Sequence, residues 1–453
     1  MISVILATVV TIVVGYFIIN KYKPHTILFT AGIFLMICAH FLNTGEILPV
    51  NKQTGFWLFD IFEYIKLIFQ TDAAGTGLTV MAVGGFAVYM EKIGASTAMV
   101  DSCVNPLKKL NAPYLVLALS YVVGQILNIF IPSATGLSIL LMATMFPLLV
   151  ELGVSRLSAA AIVGTASCLD LGPASGATNM AAQSANLDTM LYFVNYQLPV
   201  SLFVVITIAT LHYLVQKYSD KKLNFVQIKK DTTKNTIEKS IPKAYCILPL
   251  LPLVFLFVFS KLVITSISMN VITAMFLGVA ISMIFEVIFG KKEVKEVFKD
   301  LQIFFNGMGD QFSSVVTLII AGQIFAKGLT SIGVIDLIIE SCKNSGFGPI
   351  PMTIIMVIII TVCSIVMGSG NAPFYSFAAL SPTIASAFGM PTVLMVMPMQ
   401  LGSGIARSMS PITSVIVAVG KSANENPMDI VKRTAIPMTG GLIVLLIANF
   451  MVL

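Results

Sequence analysis

The sequence predicts an all-α polytopic membrane protein built from two inverted repeats, with about 10 transmembrane helices, two re-entrant hairpins and two broken helices. Three observations carry this. The chain is 57% hydrophobic and 11% charged, against about 25% charged residues in a soluble domain, and its mean hydropathy is +0.93. Two apolar stretches break at Gly/Pro/Ser tips in corresponding halves. Fragments of the first half also recur in the second at a near-constant offset. The apolar runs are continuous, which argues against a porin-type barrel with its alternating segments of about 10 residues.

The first apolar stretch, 2–19, is followed by Lys21 and Lys23. A signal peptide carries its charge before the apolar core, so 2–19 reads as a retained membrane helix. Further spans read at 25–42, 76–91, 158–183, 198–215, 245–262, 270–289, 303–327, 392–420 and 434–452. The stretch 43–75 mixes Trp57, Phe59, Phe62, Tyr64 and Phe69 with Asp60, Glu63 and Lys66. It reads as an interfacial amphipathic segment, and 94–110 reads similarly. The segments 113–150 and 350–388 read as hairpins with tips at Pro132-Ser133-Ala134-Thr135-Gly136 and Gly368-Ser369-Gly370-Asn371-Ala372-Pro373. The arms read as too short to cross a bilayer. A break of this kind cannot face lipid, because its freed backbone groups would go unpaired there.

Charge sets the orientation. The loop 216–243 holds Lys217, Lys221, Lys222, Lys229, Lys230, Lys234, Lys239 and Lys243 against Asp220, Asp231 and Glu238. The positive-inside rule places it in the cytoplasm. Counting outward puts 20–25, 92–111, 151–157, 291–302 and 421–433 on the same side, and both termini on the periplasmic or extracellular side. The formal charge of +6 comes mostly from this loop and is no sign of nucleic-acid binding. The expected location is a bacterial inner membrane.

The repeat is legible residue by residue. FAVYMEKIG at 86–94 matches FAKGLTSIG at 325–333, an offset of 239 (325 − 86). Ser102-Cys103 matches Ser341-Cys342 at the same offset. Ser133 matches Ser369 and Gly153 matches Gly389 at 236, and SAN at 184–186 matches SAN at 422–424 at 238. The division is 1–215 for the first repeat, 216–243 for a cytoplasmic basic linker and 244–453 for the second repeat. Each unit has five spans and one hairpin. Five is odd, so the second copy enters the membrane upside down, as in alternating-access carriers.

The chemistry is expected at four breaks. Each hairpin is followed by a spanning segment that is itself broken, within 158–183 and 392–420. A helix broken at mid-membrane offers the N–H groups and positive dipole end of a half-helix to an anion. Four such ends suit a ligand with two carboxylates. The candidate substrate residues are Ser133, Ala134, Thr135 and Gly136 at the first tip and Ser175, Gly176, Thr178 and Asn179 at the first broken helix. Ser369, Gly370, Asn371 and Ala372 follow at the second tip, and Arg407, Ser408, Ser410 and Thr413 at the second broken helix. Intramembrane charges are functional candidates by default. Arg407 can clamp a carboxylate or pair with Asp170. The candidates for a coupling ion, Na+ or H+, are Asp170, Ser133, Asn179, Asn371 and Thr413. The six Cys form no C-x-x-C, and His25, His40 and His212 are read near helix ends rather than in the core. No cofactor and no metal beyond a coupling Na+ is expected. No H-E-x-x-H, G-x-S-x-G or nucleotide-binding loop is present, so no enzyme is expected.

At these residues the chain resembles the anaerobic C4-dicarboxylate carriers of the DcuC family. The resemblance runs nearly end to end, through SATGLSILLMAT at 133–144, GSGNAPFYSFA at 368–378, ARSMSP at 406–411 and VKRTAIP at 431–437. It implies transport of succinate, fumarate and malate, by exchange or ion-coupled efflux or uptake, and a homodimer. The wider superfamily holds carboxylates with Ser-Asn-Thr motifs at the hairpin tips. Here the tips read Ser133-Ala134-Thr135 and Ser369-Gly370-Asn371, and Ala177 stands where the family has an acidic residue. The reading is therefore a secondary active transporter of C4-dicarboxylates. The alternatives are a carrier of an amino acid or other small monoanion on the same fold, or a channel or sensor without turnover.

Overall fold

The computed structural model describes residues 2–452 apart from 21, 223–241, 261, 265 and 268. Most of the expected basic linker lies outside the described residues. Among the described residues the protein is helical throughout, with no strand. Nine helices among the described residues are long and apolar enough to cross a membrane.

The two halves carry the same order of elements. Each starts with two apolar helical segments, Ile2–Ile19 and Pro24–Leu42 in the first half, Lys243–Val258 and Val271–Ile288 in the second. Each continues with one long helix, Trp57–Lys92 and Val294–Ser331, then a short helix, Ala95–Val104 and Val334–Asn344. A helical hairpin, a broken helix and a long final helix close each half.

The stretch 43–75 is helical from Trp57, and Trp57–Asp72 joins the span Leu78–Lys92 across a kink at Gly75 within the turn Ala73–Gly77. The polar residues that suggested an interface lie on the helix before that kink. Two expectations are corrected here. The hairpin arms are longer than expected. Pro113–Phe130 and Ala134–Glu151 have 18 residues each and Pro349–Met367 has 19. Only the fourth arm is short, split into Asn371–Ala378 and Ser381–Ala387. Proline at N1 and Pro147 inside the second arm extend or bend these helices without stopping them. Arm length therefore does not distinguish a re-entrant hairpin from a spanning pair. Finally, His212 is fully buried, between Thr165 Oγ1 at 3.1 Å and the Gln216 amide at 3.3 Å. A lone His in a long apolar helix gives no sequence sign of which face it occupies.

Helices of one half pack on helices of the other. Pro24–Leu42 lies along Thr317–Ser331, Leu78–Lys92 along Val294–Gln311, and Leu198–Lys222 along Pro427–Val452. The first contact is made by glycines. A Cβ on Gly32 would sit 2.6 Å from the backbone of Ile324, and one on Gly328 2.8 Å from the Gly32 carbonyl. In lipid, where hydrophobic driving force between helices is weak, such close approach supplies the packing energy. Gly32→Val is expected to destabilise the fold by about 1–3 kcal/mol, read as a lower thermal midpoint in detergent. An unchanged midpoint would show that the crossing relaxes freely.

Candidate functional site

The two hairpins cross over between halves. Arm Ala134–Glu151 packs against Ser414–Ala423, the second part of the other half's broken helix, while Asn371–Ala378 packs against Gly176–Ser184. This brings both tips and both breaks around one cavity of about 320 Å³.

Local sequence explains each wall. At the first tip, Ile131-Pro132-Ser133 links the arms; Ser133 caps Ala134–Glu151, its Oγ accepting from the Gly136 N–H at 3.1 Å. At the second tip, Gly368 adopts a left-handed conformation (φ +65°) that ends Pro349–Met367, and Ser369 Oγ accepts from the Ala372 N–H at 3.3 Å. The first broken helix stops at Thr165 and restarts at Gly176. Between them Asp170 and Gly172 have positive φ (+48° and +86°), and Pro173 cannot donate to a helix. Ser175 caps the restart through the Thr178 N–H at 3.3 Å. The second broken helix stops at Arg407 and restarts at Ser414, with Thr413 Oγ1 donating to the Arg407 carbonyl at 2.6 Å. The two broken helices touch at Gly404, where a Cβ would run into the Cys168 carbonyl.

Four helix N-termini thus border the cavity, at Ala134, Gly176, Asn371 and Ser414. The first N–H groups of a helix have no acceptor within it; at three of the four ends a serine takes one of them, and at Ser414 no side chain does. Each end carries about half a positive charge. Four sum to about two elementary charges, beside a wall on which Arg407 and Asp170 pair with each other.

Arg407 is the cation on the wall. Its Nη2 donates to the Ser167 carbonyl and, at 2.9 Å, to Asp170 Oδ1. The side chains of the pair are 10% and 12% exposed, and both residues line the cavity. The ion pair between Arg407 and Asp170 is therefore formed, with an open side facing the cavity.

Of the expected residues, the cavity brings together Ser133, Ala134, Thr135, Asp170, Ser175, Gly176, Ser369, Gly370, Asn371, Arg407 and Thr413. Thr135 Oγ1 lies 3.1 Å from Ser414 Oγ, which joins the first tip to the second break. The others stand behind the wall. Gly136 and Ala372 give their N–H groups to the cap serines. Thr178 is fully buried and donates to the Asp170 carbonyl at 2.9 Å. Asn179 donates to the Pro173 and Ser175 carbonyls at 2.8 and 2.7 Å and lines a different cavity. Ser408 points back at the Gly404 carbonyl. Ser410 is fully buried, and its hydroxyl has no hydrogen-bond partner among the described residues.

Sequence reasoning missed the residues that hold the first break open. Gln197 donates to Gln400 Oε1 at 2.8 Å and to Thr178 Oγ1 at 3.0 Å, and accepts from the Gly172 N–H at 3.0 Å. Gln400 donates to the Leu169 and Asp170 carbonyls at 3.2 and 3.3 Å. These bonds replace the helical ladder lost between Thr165 and Gly176. Tyr375 and Gln311 on the cavity wall were missed too. The usable signal was an amide inside an otherwise apolar span, since lipid offers it no partner.

Comparison with known proteins follows the same lines. The family model for "C4-dicarboxylate anaerobic carrier" matches residues 2–453. The chain is 35% identical over 449 residues to a probable anaerobic C4-dicarboxylate transporter DcuC of Vibrio cholerae, covering 99% of this chain and 97% of that one. It is 33% identical to the anaerobic C4-dicarboxylate transporter DcuC of Escherichia coli K12, covering 99% and 96%. Among solved structures it resembles the YdaH transporter of Alcanivorax borkumensis, with a TM-score of 0.62 at 12% identity, covering 93% of this chain and 97% of that one. MtrF of Neisseria gonorrhoeae gives 0.52 at 14% identity, with 94% of each chain covered. These two structures show the fold alone. The relatives are named as transporters and not as enzymes. On the full-length match of sequence and family model, this multi-pass membrane protein belongs to the DcuC family of anaerobic C4-dicarboxylate carriers.

Proposed function

We propose that the chain is a secondary active carrier of C4-dicarboxylates such as succinate, fumarate and malate, working by alternating access. One observation carries this reading: four helix N-termini and Arg407 converge on a single cavity of about 320 Å³. The helix ends supply about two positive charges, and a fully ionised dicarboxylate carries two negative ones. Arg407 is already balanced by Asp170, so the dianion is offset by backbone dipoles and oriented by the guanidinium. Two tips and two breaks from the two halves give two similar carboxylate pockets. The cavity volume sits at the small end of ligand sites, which run from about 300 to 1,000 Å³.

In this reading the halves are inverted repeats. The hairpins and broken helices move against a scaffold of Pro24–Leu42, Val271–Ile288 and the helices beside them. Two scaffolds meet in a homodimer. The 216–243 loop faces the cytoplasm of a bacterium and the termini face away from it. Asp170, with the Ser133, Asn371 and Thr413 hydroxyl and amide groups beside the cavity, is the local candidate for a coupling ion, Na+ or H+.

The test is labelled succinate entry into proteoliposomes loaded with unlabelled fumarate, with and without external sodium. Rapid, saturable counterflow is expected, since a channel neither saturates in this way nor exchanges against a gradient. No entry into vesicles holding folded protein would reject the dicarboxylate reading and favour another small anion, to be found by thermal shift.

A further inference from the structure

We propose that Asp72 is a proton-binding site, separate from the dicarboxylate cavity, whose carboxyl takes up and releases one proton in each transport cycle. The cycle rests on the carrier reading above; the protonation does not.

Asp72 lies in the middle of the 36-residue helix Trp57–Lys92, immediately before the π-turn Ala73–Gly77. It is 5% exposed, and its Oδ2 has no hydrogen-bond partner among the described residues. Thr76 Oγ1, one turn on and 6% exposed, has none either. None of the ion pairs in the described residues includes Asp72. Among the described residues no cation on the neighbouring elements pairs with it. Thr317–Ser331 faces it with the Gln323 carboxamide, and its own helix with the Tyr64 hydroxyl. Lys327, one turn beyond Gln323, sits over the Tyr64 ring at 5.7 Å and donates to the Glu46 carbonyl at 3.1 Å. Pro24–Leu42 contributes His40 only at its far end, stacked on Trp57 at 4.3 Å. The π-turn Phe312–Val316 contributes the apolar Val316 beside Gly77. Gln323 hydrogen-bonds the carboxyl, but no cation among the described residues pairs with it; an ionised carboxylate buried without a counter-charge in a membrane helix is costly, whereas the neutral acid buries one hydroxyl.

The repeat shows what is unusual about the position. At the offset of 239, Asp72 corresponds to Gln311 (311 − 72) and Gly84 to Gln323 (323 − 84). Gln311 also stands immediately before a π-turn, packs over Gly84 and lines the dicarboxylate cavity. The second half thus places a neutral amide on the substrate side, and the first half places an ionisable group at the equivalent point. π-turns inside α-helices are frequent at functional sites, because they release backbone groups and shift register cheaply.

Water has a way in. A second cavity, of about 450 Å³, has Gly75, Thr76 and Thr79 on one wall and Asn179, Gln183 and Asp188 on the other. Asp188 there caps the Met190 and Leu191 N–H groups, at 2.9 and 3.1 Å. Gly75 has non-helical angles (φ −91°, ψ −106°), which opens the helix at this point. The far wall belongs to Gly176–Ser184, whose N-terminus borders the dicarboxylate cavity. One short helix therefore lies between the two cavities. Water on one side of the membrane gives a proton to the Oδ2 of Asp72. Movement of the broken helix then exposes the acid to the other side, where the proton returns to water.

Two measurements test this. The infrared spectrum of purified protein at neutral pH should contain a carboxylic-acid carbonyl band that is missing from Asp72→Asn; an identical spectrum in the variant overturns the proposal whether or not the protein transports succinate. In proteoliposomes, wild type should accumulate succinate under an inward proton gradient, with matching acidification reported by an internal dye. Asp72→Asn should lose both while keeping succinate–fumarate counterflow, and Asp72→Glu should regain both. Gradient-driven accumulation that persists in Asp72→Asn, or that follows sodium instead of protons and is lost in the variant, overturns the proposal. Absent counterflow in wild type would reject the carrier reading and leave the infrared result to stand for the site.

Discussion

Arg407→Ala is expected to abolish succinate counterflow. The substitution acts on two interactions at once. It removes the one cationic side chain on the cavity wall; truncating a buried, hydrogen-bonded charge contact costs about 2–5 kcal/mol, which is roughly thirty- to several-thousand-fold in affinity. It also strands Asp170, whose carboxylate pairs with Arg407 at 2.9 Å, at a further cost of about 3–5 kcal/mol to the fold. The two effects separate in the double variant Asp170→Asn/Arg407→Ala. Neutralising Asp170 should restore the yield and thermal midpoint of folded protein but not transport. Arg407→Lys keeps the charge and loses the planar fork, so weak, high-KM counterflow is expected. Normal counterflow by folded Arg407→Ala protein would remove Arg407 from the substrate site.

The sequence pointed to four interruptions because Gly, Pro and hydroxyl residues cluster there within apolar runs, whereas single ones, such as Gly32, serve helix packing. The helices are interrupted at both tips and within both later spans, which restart at Gly176 and Ser414, positions the sequence reading did not specify. The offset between halves also anticipated the matching order of elements. Partners across the fold were not legible. Gln197 and Gln400 are 203 residues apart in the chain, and nothing local joins them. Asp72 was read with the polar residues of 43–75, because a hydropathy pattern does not show that Trp57–Asp72 continues through a π-turn. Nor does composition separate a cap from a ligand. Ser133 and Ser175 both cap and face the cavity, whereas Thr178, two residues from the restart, holds the break from behind.

A loss of stability as large as that in Arg407→Ala is expected from Asp220→Ala, at a residue that sequence alone placed in a solvated loop. Leu198–Lys222 continues past the expected end of its span, and Asp220 is 2% exposed. Its carboxylate accepts from Ser155 Oγ at 2.7 Å, Ser158 Oγ at 2.9 Å, the Ser155 N–H at 3.2 Å and the Tyr114 hydroxyl at 3.1 Å. It pairs with Arg433 of the last helix at 3.1 Å. One side chain therefore ties together both final helices, the first hairpin and the start of the first broken helix. Removing it leaves Arg433 charged and buried, with Nη2 already lacking a hydrogen-bond partner, and should cost about 3–5 kcal/mol. Arg433→Ala should cost less, because four hydrogen bonds still hold the carboxylate. The double variant should be no worse than Asp220→Ala alone, since the stranded charge is gone. Thermal midpoints in detergent rank the three. If Arg433→Ala falls as far as Asp220→Ala, the ion pair and not the hydroxyl cradle is what stabilises this junction. In either case the folded fraction should exchange succinate normally, because the junction lies outside the cavity at the four helix N-termini.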